Sequence, residues 1–92
     1  MEVSDTLKER NEQYGPFNVQ AAIAQTLKRV MREHGWKKLR PDQQEALDHI
    51  QMKISRILNG NPDHIDSWHD IGGYAKLVED RLRKPAPPPA VD

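Results

Sequence analysis

Ninety-two residues with zero formal net charge and no cysteine make one small domain at most. The balance of charge excludes a whole-molecule field that would drive the chain onto nucleic acid or an anionic membrane, and the missing thiols exclude disulfide staples and thiolate metal sites. No apolar run approaches the roughly 20 residues that span a bilayer, and the charged opening MEVSDTLKER lacks the apolar stretch of a secretory signal, so a cytoplasmic chain is expected.

Ser4 to Gln13 reads as a short first helix, because Thr6 and Glu9 have capping-box spacing and Val3, Leu7 and Tyr14 share a face. Glycine and proline break it at Tyr14-Gly15-Pro16-Phe17, with two aromatics to pin the turn. Asn18 is the expected cap of a second helix whose apolar positions Val19, Ala22, Ile23, Leu27, Val30 and Met31 recur at threes and fours. His34-Gly35 closes it. The basic residues around that end, among them Lys28, Arg32 and Lys37, read either as complements to the helix dipole or as an anion-facing patch.

Pro41 and Asp42 suit the first turn of a third helix with a core stripe of Ala46, Leu47, Ile50, Ile54, Ile57 and Leu58. Asn59-Gly60-Asn61-Pro62 stops it, and the short loop makes the third and fourth helices an antiparallel hairpin. The fourth helix, capped by Asn61 or Asp63, places Trp68, Ile71, Ala75, Val78 and Leu82 on its core side. After Lys84 the chain reads PAPPPAVD, so residues 1–84 are expected to form a single helical domain and residues 85–92 a flexible, disordered proline-rich tail. The expected fold is an all-α bundle of about four helices, a short first one and three longer ones.

A second side is marked out on the hairpin by Glu45, Asp48, His49, Met52 and Arg56 on one helix and by Asp66, Asp70, Gly73 and Leu77 on the other. Gly72 and Gly73 each cost about 1 kcal/mol relative to alanine inside a helix, which predicts a close neighbour, either a helix or a ligand. Met52 and Leu77 among charges predict that protomers pack there as a dimer or a higher symmetric assembly.

The same side holds the candidate chemistry. Glu45 and Asp48 are three apart and Asp66 and Asp70 four apart, so each pair projects from one side of its helix, and across the hairpin or a dimer the four carboxylates can converge as hard oxygen ligands for Mg²⁺. The plain alternative leaves Glu45 and Asp48 solvated, Asp66 supporting its helix N-terminus, and Asp70 paired with Lys53 or Arg81. Arg10, Lys53 and Arg56, with Lys28 or Arg32, suit phosphate groups, and Tyr14 or Tyr74 suits base stacking, although intrahelical salt bridges explain the cations nearly as well. The four histidines show no metal-binding spacing, and no glycine-rich phosphate loop is present.

RNEQYG (Arg10 to Gly15), QEALDHIQMKISRI (ending at Ile57) and DSWHDIGGYAKL (Asp66 to Leu77) resemble the signature of a small all-helical family of phages and prophages. More distantly the chain resembles MazG-like all-α nucleoside triphosphate pyrophosphohydrolases, which hold Mg²⁺ with acidic residues on antiparallel helices and assemble as dimers or tetramers. Glu45-x-x-Asp48 matches that family's first acidic pair in spacing with one conservative change, whereas Asp66-x-x-x-Asp70 departs from its second in spacing and residue type. The resemblance implies a nucleotide-handling protein: a hydrolase with Glu45 and Asp70 catalytic and Mg²⁺ on Glu45, Asp48, Asp66 and Asp70. The alternatives are an oligomer that sequesters a host nucleotide signal in the host cytoplasm as an anti-defence device, or a module that takes a host protein partner. Nucleic-acid binding ranks last, since no recognition motif is present.

Overall fold

The computed structural model describes residues 3–84, which form α1 (Val3–Tyr14), α2 (Phe17–Glu33), a single 3-10 turn (Trp36–Lys38), α3 (Pro41–Asn59) and α4 (Ile65–Arg83). The described residues contain no strand, and the all-α expectation of one short and three longer helices is met. The expectation of a proline-rich tail over residues 85–92 lies outside the described residues. No helix among the described residues is long and apolar enough to cross a membrane.

Two helix starts differ from expectation for identifiable reasons. Pro16, with φ −58°, already sets the entry to α2, so helical geometry begins at Phe17 and Asn18 falls inside the first turn instead of capping it. Asn61 spends its side chain on the preceding loop, where its Oδ1 accepts the Asp63 N–H at 3.0 Å, and α4 begins later, at Ile65, with no side-chain cap. Pro41 leads α3 as expected, and the Gln43 side chain accepts the Arg40 N–H at 2.9 Å.

α3 is the central helix, with α2 along one flank and α4 along the other. Gln20 meets Ser55 and Arg32 meets Asp48, so α2 runs antiparallel to α3. Asp42 meets Arg81, His49 meets Tyr74 and Lys53 meets Asp70, so α4 does too, which is the expected hairpin. At about 100° per residue, the Asp48–Ser55 flank and the Asp42–Lys53 flank lie about 130° apart around α3. The three long helices therefore lie side by side as an open layer, and α1 packs on α2 and α3.

The seams of this layer are polar. Gln20, Gln51, Ser55 and Ser67 are buried, whereas Ala24 and Ala46 are the only buried apolar side chains among the described residues. The expected core side of α4 is corrected accordingly: Trp68 is 56% and Leu82 59% exposed, while Ser67, Asp70, Tyr74 and Arg81 face α3. The small Ser67 and Ser55 allow close approach, and Gln20, Asp70 and Arg81 find hydrogen-bond or ion partners across the seams, whereas Gln51 Nε2 donates to the Asp48 carbonyl of its own helix.

At the far end of the layer, α1 is locked to α3 by backbone proximity. Gly15 has φ +76°, and a Cβ there would run into the Asn59 carbonyl oxygen; a Cβ on Gly60 would run into the Gln13 carbonyl oxygen and the Tyr14 backbone. Asn59 Nδ2 donates to the carbonyls of Tyr14 and Pro16, each at 2.9 Å, and the Asn61 N–H donates to Gln13 O at 2.7 Å.

The α3–α4 seam should weaken in acid. The two-pronged hydrogen bond from Arg81 holds the Asp42 carboxyl below its ordinary range, and the Lys53 ammonium, aided by His69 and Arg56, does the same for Asp70. Folded values below the unfolded ones mean that this stabilisation is complete above the unfolded aspartate pKa of about 3.9 and is lost as pH falls through the depressed folded values. The urea midpoint followed by circular dichroism is therefore expected to fall as pH drops below about 4, and to fall less in Asp42→Asn with Asp70→Asn. An equal acid loss in that double variant would show that these two pairs do not carry it.

Candidate functional site

The lock between α1 and α3 brings together cations that are far apart in sequence. Arg56, projecting from the last turns of α3, lies 4.3 Å from the centre of the Tyr14 ring, and Arg10, one turn before Tyr14 on α1, lies 5.5 Å from the same centre. Arg10 also lies 5.0 Å from the Phe17 ring, and His64 meets Tyr14 edge-on at 5.6 Å. Both guanidiniums thus attend one aromatic ring, an arrangement favourable for each cation singly and repulsive between them.

No carboxylate among the described residues forms an ion pair with either guanidinium. The ion pairs among the described residues engage Arg32, Lys53, Lys76, Arg81 and Arg83, and neither Arg10 nor Arg56 takes part in one. Arg10 Nη2 instead donates to the neutral Gln20 Oε1 at 2.7 Å; Gln20 Nε2 donates to Ser55 Oγ at 3.3 Å, and Ser55 Oγ to the Met52 carbonyl at 2.6 Å. Arg56 Nε is buried without any hydrogen-bond partner. A donor that is neither solvated nor satisfied costs about 1–3 kcal/mol, which an anionic acceptor would recover.

Lys53, one turn before Arg56, is 2.9 Å from Asp70, and Arg56 contributes to the field that depresses the Asp70 pKa. Arg10, Arg56 and Lys53 thus stand in this corner with Asp70, and Asp66 lies beside His64 at its edge. Tyr74 stands one turn further along the hairpin, stacked on His49 with ring centres 4.5 Å apart and planes 4° from parallel, so one of its faces is already taken. His69, Asp70, Gly73, Tyr74 and Leu77 line a shallow hollow of about 380 Å³ beside it.

The four candidate metal ligands are dispersed within the protomer. Glu45 pairs with His49 at 3.0 Å, Asp48 with Arg32 at 2.9 Å, and Asp66 approaches His64 at 3.8 Å, while Asp70 is held by Lys53. No group of three histidine, aspartate or glutamate side chains able to hold a metal ion occurs among the described residues. The spacing along each helix is as read, but Asp48 and Asp70 face cations of the neighbouring helices, and Glu45 and Asp66 meet a histidine of their own segment, where convergence would require further oxygens. The close neighbour expected at Gly72 and Gly73 is missing within the protomer, where a Cβ on either would meet nothing within 4 Å.

Several residues of the site carry no sequence signal of that role. Gln20 and Ser55 lie in unremarkable helical sequence, and Asn59 and Gly60 read only as a helix stop. Only the pairing of positive-φ Gly15 with Gly60 across the fold turns that stop into the support for Tyr14 and Arg10.

Residues 2–82 match the family model described as a domain of unknown function (DUF6378). No curated protein and no solved structure matches the chain.

Proposed function

The chain belongs to the DUF6378 family, and from its site we propose that it binds the phosphate groups of a nucleotide or nucleotide-derived ligand between Arg10 and Arg56, beside Tyr14. The observation that carries this reading is the pair of guanidiniums on one ring with no carboxylate partner among the described residues. A phosphate placed there accepts the buried Arg56 N–H, screens the two cations from each other and gains a charge-assisted bond from each. Lys53 adds a third cation once Asp70 yields to the incoming oxygens. Tyr14 has both guanidiniums against it, so its role is to hold the two cations at one ring.

Binding without turnover fits the geometry better than hydrolysis, because each candidate carboxylate already faces a cation or a histidine. The residues of one protomer do not fit a Mg²⁺ ion, and no step is routed through one. The hydrolytic reading, with Glu45 and Asp70 as the catalytic carboxylates, has one observation in its favour, the buried and unpartnered Asp48 Oδ1. On the favoured reading the protein sequesters its ligand, which accords with a role in withdrawing a nucleotide signal.

Titration calorimetry with inorganic phosphate, pyrophosphate and the common nucleoside triphosphates, with and without Mg²⁺, tests this directly when the ligand is recovered and chromatographed afterwards. Saturable heat with the nucleotide recovered intact is the expected result. Release of pyrophosphate would replace sequestration by hydrolysis, and absence of binding to every phosphate compound would remove the reading altogether.

A further inference from the structure

One of the two broad sides of the helical layer is apolar on all three long helices. On α3, Ile50, Ile54 and Ile57 lie on the wider arc between the two flanks, about 90° from the flank that meets α4 and about 140° from the flank that meets α2. Val78 and Leu82 are displaced from the α4 seam by about 50–90°, and Val19, Ile23 and Val30 by about 80–120° from the α2 seam at Gln20 and Ala24. Because both neighbours run antiparallel to α3, these rotations carry all three stripes to the same side. Leu39, Ala46, Leu47, Ile50, Ala75 and Val78 accordingly line one groove of about 580 Å³ between α3 and α4.

This side is open. Leu47 is 39%, Ile54 38%, Leu58 67% and Val30 53% exposed, and Trp68 and Leu82 are more than half exposed. With Val19 these side chains leave roughly 700 Å² uncovered on one protomer, close to the about 800 Å² per partner of a standard stable interface. With Ala24 and Ala46 as the only buried apolar side chains among the described residues, the layer has little else to offset about 1–2 kcal/mol of backbone entropy per ordered residue.

We infer that a second copy of this chain covers the apolar side, giving an obligate homodimer of two helical layers packed face to face. The occupant must be present whenever the chain folds, since the layer has almost no core without it, and a second copy meets that condition with no other gene product required. The stripe on α3 carries no charge, and Glu79 and Arg83, which also line the groove, pair with each other at 3.0 Å, so two copies related by a two-fold axis meet without unpaired like charges. The opposite side carries the charged residues Arg32, Glu45, Asp48, Arg56 and Asp66 and is the polar side of the layer. The contact expected around Gly72, Gly73 and Leu77 thus gives way to one on the other side of the layer. This inference is independent of the phosphate reading, because Arg10 and Arg56 lie outside the apolar stripe.

Sedimentation of the full chain at micromolar concentration is expected to give twice the 10.6 kDa chain mass. The thermal midpoint should also fall on hundredfold dilution, because the folded state and the dimer are one species. Ile54→Glu should abolish the dimer, whereas Met52→Glu, on the charged side, should retain it. Since Ile54→Glu also puts folding at risk, the cysteine-free chain offers a second route: Ile54→Cys and Leu58→Cys should give disulfide-linked dimers on oxidation, and Gly73→Cys should not. A folded monomer with a dilution-independent midpoint would overturn the inference, as would a dimer that survives Ile54→Glu and is captured through Gly73→Cys. A monomer that exposes Trp68 only after residues 85–92 are removed would likewise overturn it by assigning the groove to the chain's own C-terminal segment.

Discussion

Arg56→Gln is expected to weaken nucleoside triphosphate binding by about tenfold to a hundredfold, equivalent to about 1.4–2.8 kcal/mol, the range of one or two charge-assisted hydrogen bonds. The substitution keeps the stem as far as the position of Nε but removes the charge and the guanidinium fork beyond it. In the free protein it also removes a cation that shares the Tyr14 ring with Arg10, so stability should move by less than about 1 kcal/mol even with the cation–π contact gone. That split distinguishes a ligand-facing arginine from a structural one, whose loss would lower the urea midpoint and leave calorimetry unchanged. Arg29→Gln is the control. Arg29 lies on the exposed part of α2 with only a 3.4 Å bond to Thr26, and its removal should change neither quantity.

Gly60→Ala is expected to destabilise the fold by about 2–4 kcal/mol and to remove phosphate binding with it. The added methyl would lie on the Gln13 carbonyl oxygen and within 2.6 Å of Tyr14 backbone carbon, and backbone on both sides leaves no flexible side chain to give way. The junction must separate, and with it go the Asn59 and Asn61 hydrogen bonds that carry Tyr14 and Arg10 to Arg56. Gly72→Ala makes the contrast: nothing stands within 4 Å of its new methyl, so the chain should gain about 0.5–1 kcal/mol from improved helix propensity. Paired urea titrations read both variants. A destabilised Gly72→Ala together with a tolerant Gly60→Ala would reverse the roles assigned to the two glycine sites.

The helices and the hairpin were legible in the sequence because spacing at threes and fours and the Gly-Pro and Asn-Gly-Asn-Pro breaks fix where a helix runs. They do not fix what a stripe packs against. Trp68, Ile71, Ala75, Val78 and Leu82 mark a buried side equally well whether the covering surface belongs to the same chain or another, and here the intramolecular seam instead took Ser67, Asp70, Tyr74 and Arg81. The cations of the site were visible individually. Their meeting on Tyr14 depends on Gly15, Asn59 and Gly60 joining segments some 45 positions apart, which no local pattern encodes. The carboxylates show the reverse case, since Glu45 with Asp48 and Asp66 with Asp70 share a side as read. His49 and His64 lie within four residues of their carboxylates, whereas the meeting of Arg32 with Asp48 and of Lys53 with Asp70 depends on the packed helices.

The most direct measurement is a ¹⁵N magnetic-resonance titration of the arginine Nε–Hε signals with adenosine triphosphate in the absence of metal. Saturable shifts confined to Arg10 and Arg56, with the Arg29 and Arg83 signals unmoved, are the predicted result. Shifts spread evenly over all the arginines, or none at any of them, would contradict a phosphate site at Tyr14.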